Sequence, residues 1–517
     1  VTDTDGRTGG PEAEPAPGPS AGTAEEPASL RSSAMAGVRW SLVANVGKQV
    51  LRMGFFLALA RIIGPHDFGI AGQASVYIAF TALLDPAGLG SAFVQRAKLH
   101  ERDYASMCVL TGIFATGLIA VTLVGAPFAA SFLHTPELAD LLRVLTISVA
   151  VQALYVGPAS RLMRNLRFGA LAAADLTAGL VSTGVGLAAA ALGASYWSLV
   201  YNQLALDVTF LAVVAGAAGR PQVRASVERM RDQWHYSSRI VAFQVVNYAY
   251  RNADNVTVQR VVGSSALGFY SLSYRVILFP LQNLGMVVNR VAFPVYSRIQ
   301  HDRPRIGRQY IVATRLLAGL AFPLMTLLFV GAPLGVGVVF GPEWKPAVVP
   351  MQILAVAGLP SAVNTLSGPA MMACGRADWL FRLGVLSAVS NVVAFVVGVQ
   401  WGIQGVAAGY LIVAALTAPL IAGLVGRLVH FRLTDYGRAL VPALGSSIAM
   451  GAVWVAVEHL AGSLGGIARL VVASASAAAA YLLVMWRVWP GEAREVRSLV
   501  AEAAGRGSRS PEPAGRA

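Results

Sequence analysis

A run of about 20 apolar residues cannot be left in water, and at 1.5 Å per residue it matches the roughly 30 Å of hydrocarbon in a bilayer. This sequence repeats such runs from end to end. VLTGIFATGLIAVTLVGAPFAA (109–130), LLAGLAFPLMTLLFVGAPLGVGVVF (316–340) and LGVLSAVSNVVAFVVGVQWGI (383–403) are typical. Apolar runs weighed against breakers predict fourteen helices, centred near residues 50, 82, 115, 149, 182, 207, 250, 280, 323, 359, 389, 415, 447 and 477. With 56% of residues hydrophobic and 13% charged, the fold class is an all-α polytopic membrane protein.

The formal net charge of +14 points to nucleic acid only where basic residues form a patch on a soluble domain. Here they sit between the spans, so nucleic acid is not expected as a partner. QRAKLHERDY (95–104), RLMRNLR (161–167), RPQVRASVERMRDQWHYSSR (220–239), RIQHDRPRIGR (298–308), GRADWLFR (375–382) and GRLVHFRLTDYGR (426–438) each carry two or more Lys or Arg. The intervening connections, GPHDFG (64–69), FLHTPE (132–137), GASYW (193–197), GSSALG (263–268), GPEWK (341–345) and HLAGSLGG (459–466), carry Lys345 as their single basic residue. The positive-inside bias places the Arg-rich set and both termini in the cytoplasm. Cys108 and Cys374 form neither a metal-ligand nor a disulfide pattern, and no cofactor is implied. Residues 1–33, rich in Pro, Gly, Ala and acid, read as a disordered tail, so the first span is expected to act as its own insertion signal.

The chain also repeats itself. RIIGPHDFG (61–69) and RVVGSSALG (260–268) match at Arg61/Arg260, Gly64/Gly263 and Gly69/Gly268, an offset of 199. VGAP (124–127) recurs at 330–333, and Pro136-Glu137 recurs at Pro342-Glu343, both at 206. Gly193 and Tyr201 match Gly402 and Tyr410 at 209, a drift of the kind loop insertions produce. The expected organisation is a cytoplasmic N-terminal tail (1–33), an N-lobe of spans 1–6 (34–219), a cytoplasmic linker (220–237), a C-lobe of spans 7–12 (238–430), spans 13 and 14 (431–488) and a cytoplasmic tail (489–517). Two six-helix copies share one topology and are related by an axis along the membrane normal, with a substrate cavity at their interface. An amphipathic surface helix is expected in the linker, and another over 492–507.

Inside the first span, NVGKQVLRMGFF (45–56) contains Lys48 and Arg52. A cation at the centre of a membrane helix costs about 2.5–3.5 kcal/mol on insertion scales and marks a functional site by default. Ser41, Asn45, Lys48 and Arg52 step by four, three and four, so they share one helical face. The offset of 199 maps Asn45 to Gln244, Lys48 to Asn247 and Arg52 to Arg251, and span 7 adds Tyr248, Asp254 and Asn255. The two polar stripes are expected to face each other across a hydrated, cationic cavity. Lys48, Arg52, Arg251, Asn45, Gln244, Asn247, Tyr248 and Asn255 are its candidate lining. Competing structural readings pair Arg52 with Asp85 and Arg251 with Asp254, or let Lys48 snorkel. Asp254 is read first as neutralising Arg251, with a proton or Na⁺ coupling role as the alternative; Asp85 is the other coupling candidate. Arg61 and Arg260, near the outer helix ends, serve either snorkelling or a link to a loop. Asp175, Asp207 and Arg275 stand as isolated intramembrane charges.

LALARIIGPHDFGIAGQASVYIAFTALLDPAGLGSAFVQR (57–96), NADNVTVQRVVGSSALGFYSLSYRVILFPLQNLGMVVNRVAFPVYSRIQ (252–300) and FGPEWKPAV (340–348) together resemble the polysaccharide exporters, the Wzx and WzxC type flippases of the multidrug/oligosaccharidyl-lipid/polysaccharide superfamily. The resemblance runs in order over roughly residues 34–430. It implies a non-enzymatic transporter with two lobes around a central cavity. Its substrate would be an undecaprenyl-pyrophosphate-linked oligosaccharide, moved to the outer leaflet of the bacterial cytoplasmic membrane by alternating access for surface or extracellular polysaccharide synthesis. Partners implied are the anionic lipid-linked oligosaccharide, membrane lipid, H⁺ or Na⁺, and the polysaccharide polymerase machinery. Lys48, Arg52 and Arg251 are the expected contacts to pyrophosphate or an acidic sugar. The rival readings are a multidrug or toxin antiporter of the same superfamily and a peptidoglycan lipid-precursor flippase.

Overall fold

The computed structural model describes residues 47–81, 101–219, 245, 248 and 251–490. Its described elements are all helical: α1 (47–62), α2 (Pro65–Thr81), α3 (Glu101–Phe132), α4 (Glu137–Arg164), α5 (Phe168–Ala191), α6 (Trp197–Ala218), α7 (Ala253–Val261), α8 (Ser264–Arg298), α9 (Arg303–Val339), α10 (Val348–Asn364), α11 (Ser367–Ala373), α12 (Ala377–Gly398), α13 (Gly402–Val429), α14 (Leu433–Leu460) and α15 (Gly466–Val488), with 3₁₀ turns at Pro342–Ala347 and Val399–Trp401. Twelve of the fourteen expected span centres fall inside these helices. Residue 82 follows the end of α2, and residue 250 lies between helical positions 248 and 251. Nine stretches among the described residues are long and apolar enough to cross a membrane, one of them, Ala377–Val429, being the α12–α13 hairpin. Val121, Val124, Phe128, Leu192, Leu416 and Leu482 are largely exposed, which only a lipid environment tolerates at this density. The chain is a multi-pass membrane protein. The linker (220–237) and the 492–507 helix lie outside the described residues.

Among the helices from α2 onward, extensive packing falls within the chain's two halves. α3 to α6 pack on one another, as do α8 to α15, and α2 against α8 is the broad contact between the halves. That contact rests on two glycines. A Cβ at Gly69 would overlap the carbonyl oxygen of Ser264 and come within 3.1 Å of Gly268 N; a Cβ at Gly268 would overlap the carbonyl oxygen of Pro65 and come within 3.3 Å of Gly69 N. Pro65 and Ser264 are themselves 199 residues apart, as are Gly72 and Ser271, which also meet. Residues equivalent by sequence repeat therefore touch each other, the geometry of a two-fold contact within one chain. Small residues of this kind let membrane helices approach backbone to backbone.

Aromatic packing flanks the crossing. Trp344, fully buried in the 3₁₀ turn, sits edge-on against Phe68 of α2 (centroids 5.2 Å apart) and Phe269 of α8 (5.9 Å), while Phe68 meets Phe56 of α1 at 4.9 Å. One indole thus fills the corner between the first half's α1–α2 turn and the second half's α8. Replacing a buried Trp with Ala costs about 3–5 kcal/mol. Trp344→Ala is expected to lose that much stability, read as a lower midpoint of thermal unfolding in detergent; a loss below about 1 kcal/mol would mean the seam does not need the ring.

Candidate functional site

The polar face of α1 begins with Lys48, half-buried, whose Nζ lies 2.7 Å from Asp175 Oδ1 of α5. Asp175, isolated by sequence reasoning, is the counter-ion of Lys48. One turn on, Arg52 is exposed. Arg275 of α8 stacks its guanidinium over the ring of Phe56 at 4.9 Å, one helical turn beyond Arg52 on α1. No carboxylate among the described residues is within ion-pair distance of Arg52, Arg251 or Arg275. The pairing of Arg52 with Asp85, like Asn45, Gln244 and Asn247, lies outside the described residues.

Span 7 departs from the continuous stripe expected of it. Residues 245, 248 and 251 are helical, a turn interrupts at Asn252, and α7 starts at Ala253. The sequence RNADN explains the break, because Asn and Asp side chains compete for backbone groups and favour helix ends over helix interiors. Asn252 Nδ2 donates to the Tyr248 carbonyl at 3.0 Å, and Asn255 Nδ2 reaches Asn252 Oδ1 at 3.4 Å. In a membrane, polar groups freed by a break need such partners. Asp254 turns inward: at 2% exposure it accepts from Tyr270 OH of α8 (3.0 Å) and from the Asn255 backbone N–H (2.8 Å), with no ion pair to Arg251. Asp254 ties the broken span to α8, and Arg251 is left exposed. Tyr248 OH donates to the Val76 carbonyl of α2 while its ring tilts against Phe80 at 5.5 Å.

The structure therefore sets Arg275, a residue absent from the sequence-derived lining, against Phe56, one turn from Arg52. A signal was available. Gly268, Ser271 and Arg275 step by three and four, the same face of α8 that crosses α2. Asp207 of α6, fully buried, joins a different network inside the first half: Ser148 Oγ, Gln152 Nε2 (3.3 Å) and Gln203 Nε2 (2.9 Å) all donate to its Oδ2. No group of three or more His, Cys, Asp or Glu among the described residues is placed to hold a metal ion.

Away from the cations, a groove of about 820 Å³ runs between α9, α10 and α14, walled by Met325, Phe329, Val356, Leu359, Ile448 and Val455, with Thr326 and His459 as its polar members. It is an apolar feature separate from the charged recess.

Two comparisons settle the family. Residues 58–349 match the family described as "Polysaccharide biosynthesis protein". The chain belongs to that family. Among its relatives, the lipopolysaccharide biosynthesis protein WzxC of Escherichia coli K12 is 25% identical over 428 residues, 81% of this chain and 83% of the relative. The teichuronic acid biosynthesis protein TuaB of Bacillus subtilis 168 is 24% identical over 473 residues, 89% and 97% of the two chains. The succinoglycan biosynthesis transport protein ExoT of Rhizobium meliloti 1021 is 27% identical over 371 residues, 70% and 73%. In fold, the chain is similar to the lipid II flippase MurJ in an inward closed conformation (TM-score 0.70, 13% identity, 90% of this chain and all of that one) and to an inward-facing MATE family multidrug transporter (TM-score 0.54, 13% identity, 74% and 95%). The resemblance carried by the quoted stretches, and the reading as a transporter rather than an enzyme, agree with these relatives.

The Lys48–Asp175 pair has a checkable consequence. Both side chains are about a third or more exposed, so the pair itself contributes on the order of 1 kcal/mol or less. Asp175→Asn, which strands the Lys48 ammonium, is expected to lower the unfolding midpoint more than Lys48→Met combined with Asp175→Leu. Equal losses would mean that Lys48 finds other partners.

Proposed function

We propose that this protein is a flippase that carries an undecaprenyl-pyrophosphate-linked oligosaccharide from the inner to the outer leaflet of the bacterial cytoplasmic membrane by alternating access of its two halves (34–219 and 238–430), with both termini in the cytoplasm. The observation that carries the reading is that Arg275 of the second half stacks on Phe56, one turn from Arg52 of the first, and that neither arginine pairs with a carboxylate among the described residues. Guanidinium groups that neighbour one another in a membrane without a carboxylate partner favour an anion between them. Their planar donor forks suit phosphate oxygens. Arg251 adds a third cation, from span 7, that pairs with no carboxylate among the described residues, whereas Lys48, committed to Asp175, sets the recess rather than contacting the headgroup.

A pyrophosphate and its sugars cannot cross hydrocarbon bare, since each polar group left without a hydrogen bond costs several kcal/mol. A cationic recess supplies the missing partners for the head while the polyprenyl tail stays in lipid. The apolar groove between α9, α10 and α14 offers a surface of matching chemistry for such a tail. The multidrug reading fares worse on charge: organic cations would meet Arg52, Arg251 and Arg275. The names of WzxC, TuaB and ExoT, all tied to bacterial polysaccharides, support the glycan class.

In a host lacking this protein, complemented with wild type or with Arg52→Gln plus Arg275→Gln at equal protein level, lipid-linked glycan is measured in each leaflet. Hydrogen bonds to charged groups are worth about 1.5–3 kcal/mol each, so the double variant should export at least about tenfold more slowly, with glycan accumulating in the inner leaflet. Normal export by the variant would make the arginines structural. No change on deletion of the whole protein would remove the substrate assignment.

A further inference from the structure

The last carbonyls of a helix have no partner within it, and a cation placed there is favoured by the helix dipole. α9, in the second half, ends at Val339. Its terminal carbonyls accept from an arginine of the first half: Arg61 Nη1 donates to Val338 O at 3.2 Å and to Val339 O at 3.0 Å. The repeat offset of 206 maps Val338 and Val339 onto Phe132 and Leu133, where α3 of the first half ends. There the partners come from the second half. The Arg260 guanidinium lies 5.3 Å from the Phe132 ring centroid and donates to the His134 imidazole, 2.6 Å from Nδ1, and Gln259 Nε2 donates to Leu133 O at 3.3 Å and Thr135 Oγ1 at 2.8 Å. Arg61 and Arg260 are 199 residues apart. The same link is thus made twice and crosswise: the first helix of each half reaches the end of the third helix of the other.

We infer that Arg61 and Arg260 form a paired latch that closes one end of the protein, the end whose connections carry almost no basic charge, and that their release opens it. Three features make this a latch rather than a permanent clamp. Among the described residues neither guanidinium engages a carboxylate; each binds carbonyls, an imidazole or a ring face, and both side chains are exposed. Between the two links the halves meet by shape at the Gly69–Gly268 crossing and, farther along α2, by one side-chain hydrogen bond, from Tyr248 OH to the Val76 carbonyl. Parting that crossing breaks no backbone hydrogen bond. Finally, Arg61 sits nine residues beyond Arg52 on the continuous helix α1, about 13 Å along its axis, whereas the break at Asn252 parts Arg260 from Arg251. A rigid α1 therefore joins the recess to the latch, and an anion drawn between Arg52 and Arg275 acts on the helix that carries Arg61. That last link rests on the proposed flippase function; the latch itself does not.

The test uses the full-length protein with Cys108 and Cys374 replaced by Ala, reconstituted in lipid nanodiscs without substrate. Spin labels at Leu192→Cys and Lys345→Cys, one on each half at the closed end, report their separation by pulsed electron resonance. In cells, Ser271→Cys, beneath the glycine crossing, is challenged with a membrane-impermeant maleimide from outside. Arg61→Gln combined with Arg260→Gln should lengthen the main distance by about 5 Å or more and raise the labelling rate at least about tenfold. Unchanged distances and labelling in a variant that elutes and melts like the parent would overturn the latch. If that variant is not recovered, Arg61→Met combined with Arg260→Met, which keeps the apolar stems and removes the donors, applies the same test; a closed end there would refute the proposal equally. Opening with normal lipid-linked glycan in the deletion host would keep the latch and remove the flippase. A still-closed end in a strain whose export fails on deletion would do the reverse.

Discussion

The distance between the two halves is set by backbone, not side chains, at the point where α2 and α8 cross. With hydrogen in place of Cβ at Gly69 and Gly268, the helices approach until each glycine faces the carbonyl of the other helix's first turn. Other inter-half contacts accommodate that spacing. Phe68 can reach the edge of Trp344, Arg61 the end of α9, and Arg275 the ring of Phe56. Because lipid offers apolar groups no hydrophobic reward for leaving it, such close fit and a few hydrogen bonds must supply the association.

The charged recess depends on the same spacing. Cations inside a bilayer are tolerated when paired or when water reaches them, and the protein uses the two solutions side by side on one helix. Lys48 is paired, with Asp175. Arg52, one turn away, has no carboxylate partner among the described residues and lies one turn from the Phe56 ring that Arg275 stacks on. Asp254 could have neutralised Arg251 and instead bonds Tyr270 and its own helix start. Asp175 and Asp254 are thus employed in holding helices, and among the described residues no carboxylate pairs with Arg52, Arg251 or Arg275, an arrangement suited to an anion that comes and goes.

Much of the fold was legible in the sequence because membrane insertion imposes a length and a polarity that short-range pattern reveals. The spans, the alternating basic loops and the internal repeat need only one-dimensional reasoning. Partner choice does not follow from pattern. The stripe of Lys48 and Arg52 announced a polar face, but nothing in it said that the lysine would pair with Asp175, 127 residues on, or that Arg275 would stack on Phe56, one turn from the arginine. Span 7 read as a continuous helix because period-based reasoning ignored the local competition of Asn252 and Asp254 for the backbone, and the break turned Asp254 away from Arg251. Arg61 and Arg260 were recognised as equivalent, yet their crosswise reach to the opposite half depends on the crossing angle that the glycines permit.

The crossing has a further meaning. Pro65 facing Gly268 and Ser264 facing Gly69 is the self-complementary pattern by which two identical subunits meet, so the contact has the form of a dimer interface enclosed within one polypeptide. In a true homodimer every substitution appears on both sides of the axis at once. Here the two sides are separately encoded, and they have diverged one residue at a time: Gly72 stands opposite Ser271, its own counterpart, and Val76 holds the position that Arg275 occupies in the second copy. Fusion of two copies into one chain is what allows a cation to be placed on one side of the axis alone, and with it a binding surface that no symmetric pair of subunits could possess.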